Sequence, residues 1–332
     1  MFIASSLDGG AEKVVADLSN SLSLQGVEVV VAAFANSLWL KRLSDKVTVR
    51  PLTSSEEWYD PRLYWQLRQI IAQEQPDLVH SHGAKASKIV LRTGRLIGLT
   101  QVATKHNSRK GKVFNGLPNV TAVSGKVAES VRGDATVIYN GVQRDNSLTP
   151  QLSQVMADGA FTVLAVGRLD PIKRFDHLIR AVAQQPADMR LQIVGDGPQR
   201  EALETLIAEL GAEDRVQLLG EQRDVPTRMA SAHLVVIASR SEGFSLVMVE
   251  ALFYANLFMS TEVGAAPELL PPELLIAEGQ LAEKLAQAQR DYGEMQATFR
   301  AFTAQQADQF ELPAVAAAYI AYYQRILEEH AA

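Results

Sequence analysis

Two carboxylates eight positions apart, Glu242 and Glu250, bracket a stretch of this 332-residue chain whose residue types could work on a charged ligand. The stretch reads SRSEGFSLVMVEAL, residues 239–252, and follows the apolar run HLVVIA. Ser245 is an N-cap type, and the apolar pattern after it predicts a helix over 246–255. The amides of Leu246, Val247 and Met248 then lack helical partners, and together with the helix dipole they favour a phosphate. Gly243 and Phe244 complete the turn. A carboxylate beside a diphosphate is repelled by it unless it accepts hydrogen bonds from hydroxyls. The pattern therefore implies a ligand with hydroxyls on both sides of its phosphates, as a nucleotide sugar has. A capped buried helix with two incidental glutamates would read the same way.

Such a turn needs a parallel strand before it and a helix after it, at the carboxyl edge of a sheet. The rest of the chain supplies more of the same. EGFSLVMVEAL resembles the Glu-x7-Glu signature of the retaining glycosyltransferases of family 4, which have the GT-B fold. The resemblance continues through SLDGGAEKVV, DLVHSHG, VIYNGV, VGRLDPIKRFDHLIRA, VGDGPQREAL and VGAAPELL, and so covers nearly the whole chain. It implies an α/β protein of two Rossmann-like domains facing each other across a cleft, with a C-terminal helix crossing back to the first domain. It also implies transfer of a hexosyl group from a nucleoside diphosphate sugar, UDP favoured, to a glycan or glycolipid acceptor, as in lipopolysaccharide or cell-envelope glycan synthesis. By the same resemblance Glu250 takes the ribose, Glu242 the sugar hydroxyls, and Arg168 with Lys173 the diphosphate. His82 then lies near the transferred sugar, Gly9 and Gly10 form a loop facing the donor, and Arg223 falls where the base is seated. The acceptor attacks on the leaving-group face, so no separate enzymic base is assigned. One departure stands out: family members commonly carry Gly-x-Pro where this chain has Ala255-Asn256-Leu257.

Read as residues alone, the same positions leave alternatives. Arg168 offers a fork for phosphate oxygens and Lys173 a mobile point charge. His80-Ser81-His82 could be a metal pair, but no acidic or thiol partner lies near it in sequence. His80 is expected to be packed, with His82, and less so His106, as site candidates. The chain holds no Asp-x-Asp, which disfavours metal-assisted transfer, so neither metal nor cofactor is expected. Asp8-Gly9-Gly10-Ala11 is not the dinucleotide fingerprint, which argues against a dehydrogenase. A sugar-nucleotide epimerase of the same fold, with His82 or His106 as acid and base, and a non-catalytic nucleotide-sugar-binding scaffold are the competing readings.

Composition sets the frame. Hydrophobic residues make up 47% and charged residues 21%, and cysteine is absent, so disulfides and thiolate metal sites are excluded. No apolar run of membrane-spanning length occurs, and the start lacks a signal-peptide pattern, which predicts a cytoplasmic protein or one held peripherally at the inner face of the cytoplasmic membrane. The net charge of −6 is uneven: residues 1–150 carry 18 Lys and Arg against 13 Asp and Glu, a balance of +5, leaving −11 for the remainder. Between 82 and 133, Lys85, Lys88, Arg92, Arg95, Lys105, Arg109, Lys110, Lys112, Lys126 and Arg132 are opposed by Glu129 alone. Lys85, Lys88, Arg92 and Arg95 share a helix face. Solvated faces normally mix signs, so contact with an anionic membrane near a glycolipid acceptor is the expectation. A monomer that does not bind nucleic acid is expected.

Short apolar runs predict strands at 2–5, 27–34, 47–51, 78–80, 102–104, 161–166, 191–194, 216–219, 233–238 and 257–260, with weaker ones near Val120 and Val137. Amphipathic patterns predict helices at 11–24, 61–73, 84–97, 126–132, 175–184, 281–289, 294–306 and 314–328. Pro198 fits a helix N1 position and Gly211 a helix end. The expected division is 1–145, 158–312 and a tail helix at 313–332, with a linker over 143–159.

Overall fold

Two all-parallel sheets carry the chain. In the computed structural model, which describes residues 1–95, 98–109, 111–148 and 159–331, the first sheet has the order β3-β2-β1-β4-β5-β6-β7. Its strands are β1 (Phe2–Ile3), β2 (Val30–Phe34), β3 (Thr48–Leu52), β4 (Val79–His82), β5 (Gln101–Lys105), β6 (Asn119–Ala122) and β7 (Thr136–Val137). The second sheet has the order β10-β9-β8-β11-β12-β13, from β8 (Phe161–Val166), β9 (Met189–Val194), β10 (Val216–Gly220), β11 (Leu234–Ile237), β12 (Phe258–Thr261) and β13 (Leu275–Ile276). Each order reverses direction once, between β1 and β4 and between β8 and β11. Those reversals are where doubly wound sheets open a crevice at their carboxyl edge. Lys110 and residues 149–158 of the expected linker lie outside the described residues.

The two sheets belong to separate units, Met1–Gln143 with the tail from Gln309, and Arg144–Asp308. The tail joins the first unit by packing. Its helix Leu312–Ala331 lays Val315, Ala316, Tyr319, Tyr322, Tyr323 and Ile326 against Val15, Leu18 and Leu22 of the helix α1, Gly10–Leu24. The aromatic face legible at Tyr319, Tyr322 and Tyr323 is thus core. β1 is only two residues long, and the space left at the amino ends of β2 and β4 is an apolar cavity of about 340 Å³ lined by Val29, Ile71, Leu78, Tyr323 and Leu327, among others. It lies at the sheet edge opposite the carboxyl ends of the strands.

Three local expectations are corrected or completed here. Pro198 precedes the N-cap Gln199 of the helix Arg200–Glu209 rather than occupying N1. Gly211 does end that helix: at φ 58° it lets Ala212 N donate to Ile207 O at 3.0 Å. At the departure from the family pattern, Asn256 is buried and its Nδ2 donates to Ala230 O and Ala232 O at 2.8 and 2.9 Å. A buried amide tie replaces the stiffness a proline would have given the entry to β12.

Candidate functional site

Strand order brings the loops after β8 and β11 together at one crevice. The β8 loop leaves the sheet at Gly167, whose N donates to Val194 O at 2.9 Å. It turns on Asp170, which accepts from Ile172 N at 2.9 Å through Oδ1 and from Lys173 N at 3.1 Å through its carbonyl. The loop ends at Arg174, left-handed at φ 53° and bound in a fork to Glu278 at 2.9 and 3.1 Å. Arg240 N donates to Ile172 O at 2.8 Å, which docks the β11 loop onto the β8 loop. Lys173 Nζ and Glu242 Oε1, 69 positions apart in sequence, meet at 2.6 Å. Ser239 Oγ donates to the same oxygen at 2.8 Å, and Thr261 Oγ1 holds Ser239 O at 2.7 Å. Gly264, at φ 55°, leaves no room for a side chain beside Glu242 and Gly243. Glu242 Oε1 is therefore fixed by a cation and a hydroxyl, while the carboxylate stays partly open to solvent. Arg168 is exposed and has no ion-pair partner among the described residues.

The helix α8, Leu246–Tyr254, starts at the same edge with Ser245 as N-cap. Met248 N donates to Ser245 O at 3.2 Å, so the expected set of three open amides reduces to Leu246 and Val247, for which no acceptor occurs among the described residues. Met248, Val249, Ala251, Leu252, Phe253 and Tyr254 are buried, and Glu250 is the only charged residue of the helix. It lies one turn after Leu246 on the partly exposed side. Such a helix is fixed by its burial on most sides, which gives Glu250 a rigid mount. Arg223 lies exposed beyond the end of β10. Ser239 was missed from sequence, since its partner is a bond across a turn that a serine-rich segment does not advertise.

In the first unit, His82 ends β4 and is buried. Its Nδ1 shares a hydrogen bond with His106 Nε2 at 3.1 Å, and its Nε2 is buried with no partner among the described residues. His80 is packed, as expected: Tyr323 OH and Thr104 Oγ1 each lie 2.6 Å from its ring nitrogens. Burial holds His80 and His82 well below the usual imidazole range and lowers His106 to about 4. All three are neutral at pH 7, so His82 presents an uncharged nitrogen at the carboxyl edge of its sheet. Gly9 is the N-cap of α1, at φ −117°, and its N donates to Glu12 Oε2 at 3.1 Å. A Cβ there would sit 2.9 Å from that oxygen, so glycine leaves room for the Glu12 carboxylate at this cap, and no left-handed turn is involved.

The basic run is not one surface. Lys105 is buried, with Nζ donating to Ser130 Oγ and O at 2.6 and 3.2 Å beside the Phe114 ring. It supports β5 and leaves the surface set. Lys85, Lys88 and Arg92 lie on the helix α3, Gly83–Gly94, and Arg95 follows at its C-cap; Arg109 and Lys112 are exposed in the next loop.

Two family models match, "Glycosyltransferase Family 4" over residues 8–146 and "Glycosyl transferases group 1" over residues 160–292. The chain is 28% identical over 263 residues to the lipopolysaccharide core biosynthesis glycosyltransferase LpsD of Rhizobium meliloti, covering 75% of this chain and 74% of that protein. It is 27% identical over 345 aligned residues to the gpi3 subunit of the Schizosaccharomyces pombe phosphatidylinositol N-acetylglucosaminyltransferase, covering 86% and 70%. Among solved structures, Anabaena HepE in complex with UDP-glucose superposes with a TM-score of 0.82 at 23% identity, over 99% of this chain and 98% of that one.

Proposed function

The chain belongs to the family 4 glycosyltransferases, enzymes of the GT-B fold, and from that premise we propose that it moves a hexosyl group from a UDP-sugar to a glycan or glycolipid acceptor, with retained configuration and without a metal. The observation that carries the donor reading is the cluster at the β8 and β11 loop ends. Lys173 is held on Glu242, Arg168 stands open on the same loop, and two amides at the start of α8 lack acceptors among the described residues. A diphosphate entering there would gain Arg168, the amides of Leu246 and Val247, and a share of Lys173. These groups would stabilise charge developing on the leaving diphosphate without moving in the transition state. Glu242, oriented by Ser239 and Lys173, accepts hydrogen bonds from sugar hydroxyls. Glu250, on its buried helix, accepts them from the ribose. UDP as the nucleotide is supported by the UDP-glucose complex of the similar Anabaena HepE. The acceptor class is supported by LpsD, named for lipopolysaccharide core synthesis. Among the described residues no helix is long and apolar enough to cross a membrane.

The division of roles is testable by calorimetry with UDP. Glu250→Ala is expected to weaken UDP binding about tenfold or more, the scale of a lost charged hydrogen bond. Glu242→Ala is expected to leave UDP affinity nearly unchanged and to lower turnover. Equal losses of UDP affinity from both variants would remove the assignment. The metal-free reading rests on the absence of an Asp-x-Asp pair, and it expects excess EDTA to leave the transfer rate nearly unchanged. Loss of activity restored by Mn²⁺ or Mg²⁺ would refute it.

A further inference from the structure

Three aromatic side chains stand in solvent within eight residues of each other: Trp58, Tyr59 and Trp65, which are 42%, 67% and 60% exposed. The chain has three tryptophans, and the third, Trp39, is fully buried, so both exposed indoles fall in this one segment. The segment is held in place. Asp60 caps the helix α2, Pro61–Glu74, accepting from Arg62 N at 2.9 Å, and Tyr64 OH donates to Trp58 O. Lys88 Nζ lies 4.1 Å from the centre of the Trp58 ring and the Arg92 guanidinium 5.1 Å, so two members of the basic face of α3 grip one indole. Trp65 sits on the exposed face of α2, with Arg62 three positions before it and Arg68 three after. Counting the neighbouring acids, Glu56, Glu57 and Asp60 stand against Arg62, Arg68, Lys85, Lys88, Arg92 and Arg95, an excess of positive charge. Lys85 is 4.0 Å from Glu56, and Asp60 is bound to Arg62.

We propose that this surface, the segment before α2 with the outer faces of α2 and α3, is the contact of the first unit with an anionic lipid bilayer. Exposed indoles are costly in water, and at the headgroup level they find an apolar body and a polar edge matched to their own. The flanking cations reach past them to lipid phosphates, with their aliphatic stems along the rings. Basic charge alone would attract any polyanion, whereas tryptophan and tyrosine set among cations fit an interface with an apolar interior. The contact rests on the glycolipid-acceptor reading for its purpose, since an acceptor anchored in a leaflet is reached only by an enzyme held there.

The experiment is vesicle co-sedimentation combined with tryptophan emission, using phosphatidylcholine vesicles with about a third phosphatidylglycerol and vesicles of phosphatidylcholine alone. Binding to the anionic vesicles is expected, weakened by salt, with a blue shift of the emission. Trp58→Ala with Trp65→Ala is expected to lower vesicle binding about tenfold, with UDP affinity and melting temperature unchanged. Lys88→Gln with Arg92→Gln is expected to remove the salt-dependent part. Emission unmoved by vesicles, or a double tryptophan variant that binds as the parent does, would overturn the proposal. So would an oligonucleotide that shifts the emission more than the vesicles do, which would make the surface a polyanion site. Failure of the parent protein to bind UDP would count against the donor reading and leave the vesicle result to stand by itself.

Discussion

Gly195→Ala is expected to remove donor binding and transfer activity together. Gly195 follows β9 at φ 134°, and a Cβ there would lie 2.0 Å from Gly167 O and 2.8 Å from Gly167 C. Both are backbone atoms of the loop that carries Arg168 and Lys173, so neither can rotate away as a side chain would. Gly195 N is itself tied to Gly220 O at 2.8 Å, which blocks retreat on the other side. The strained backbone and the overlap together are expected to cost about 4 kcal/mol of stability in the second unit. Any relaxation that relieves the overlap moves the β8 loop by an ångström or more, and a shift of that size costs about a hundredfold in rate when it misplaces a group at the reacting centre. Gly293→Ala serves as the comparison. That glycine lies in the helix Tyr292–Gln306 with nothing near its Cβ direction, and alanine there is expected to raise stability by about 0.5–1 kcal/mol. Thermal melting, UDP calorimetry and turnover on the two variants check the pair. A Gly195→Ala protein that binds UDP like the parent would show that the two loops are not coupled.

The second large effect is acid lability of the first unit. His80, His82 and His106 are neutral in the fold because burial lowers all three, and in the unfolded chain they titrate near 6.5. A base whose folded pKa is depressed takes up protons on unfolding, so stability rises with pH in that window. Their stabilisation is therefore fully present above about 6.5 and is lost as pH falls towards the folded values, about 4 for His106. Each histidine contributes a slope of at most about 1.4 kcal/mol per pH unit. Three titrating together would give about 4 kcal/mol per unit, enough to unfold a domain of ordinary stability between pH 6 and 4. Calorimetric melting from pH 8 to 4 should show the first unit falling before the second, whose described histidines are the exposed His177 and a single buried one, His233, packed against Phe161 and Tyr292 and lowered by that burial. His106→Gln should flatten the pH dependence by up to one proton, while retaining a donor and an acceptor for His82. An unchanged slope in that variant would mean that His106 is charged in the fold.

Much of this protein is written locally. The strand over Phe161–Val166 was predicted to the residue, and the helix after Ser245 to within one, because an apolar run bounded by glycine or a cap is a signal carried by neighbours in sequence. Pairing Glu242 with Glu250 across one turn was equally local, as was the family likeness. The helix predicted over 126–132 was the poorest, reduced to Gly125–Ala128, since Ser130 turns inward to hold Lys105.

What the spacing could not say is which loops meet. Lys173 and Glu242 lie 69 positions apart, and they touch because β8 and β11 are neighbours in the sheet while β9 and β10 lie on the far side of β8. That order follows from how buried strands and helices pack together, a property of the whole domain rather than of any window of sequence. The same reason hid the serine on Glu242, the burial of Lys105 within a run of surface cations, and the indole beneath Lys88 and Arg92. A charge in sequence is only a charge. Whether it faces water, a serine carbonyl or a tryptophan ring is decided when the fold closes, because only then is the cost of desolvating it set against a particular partner.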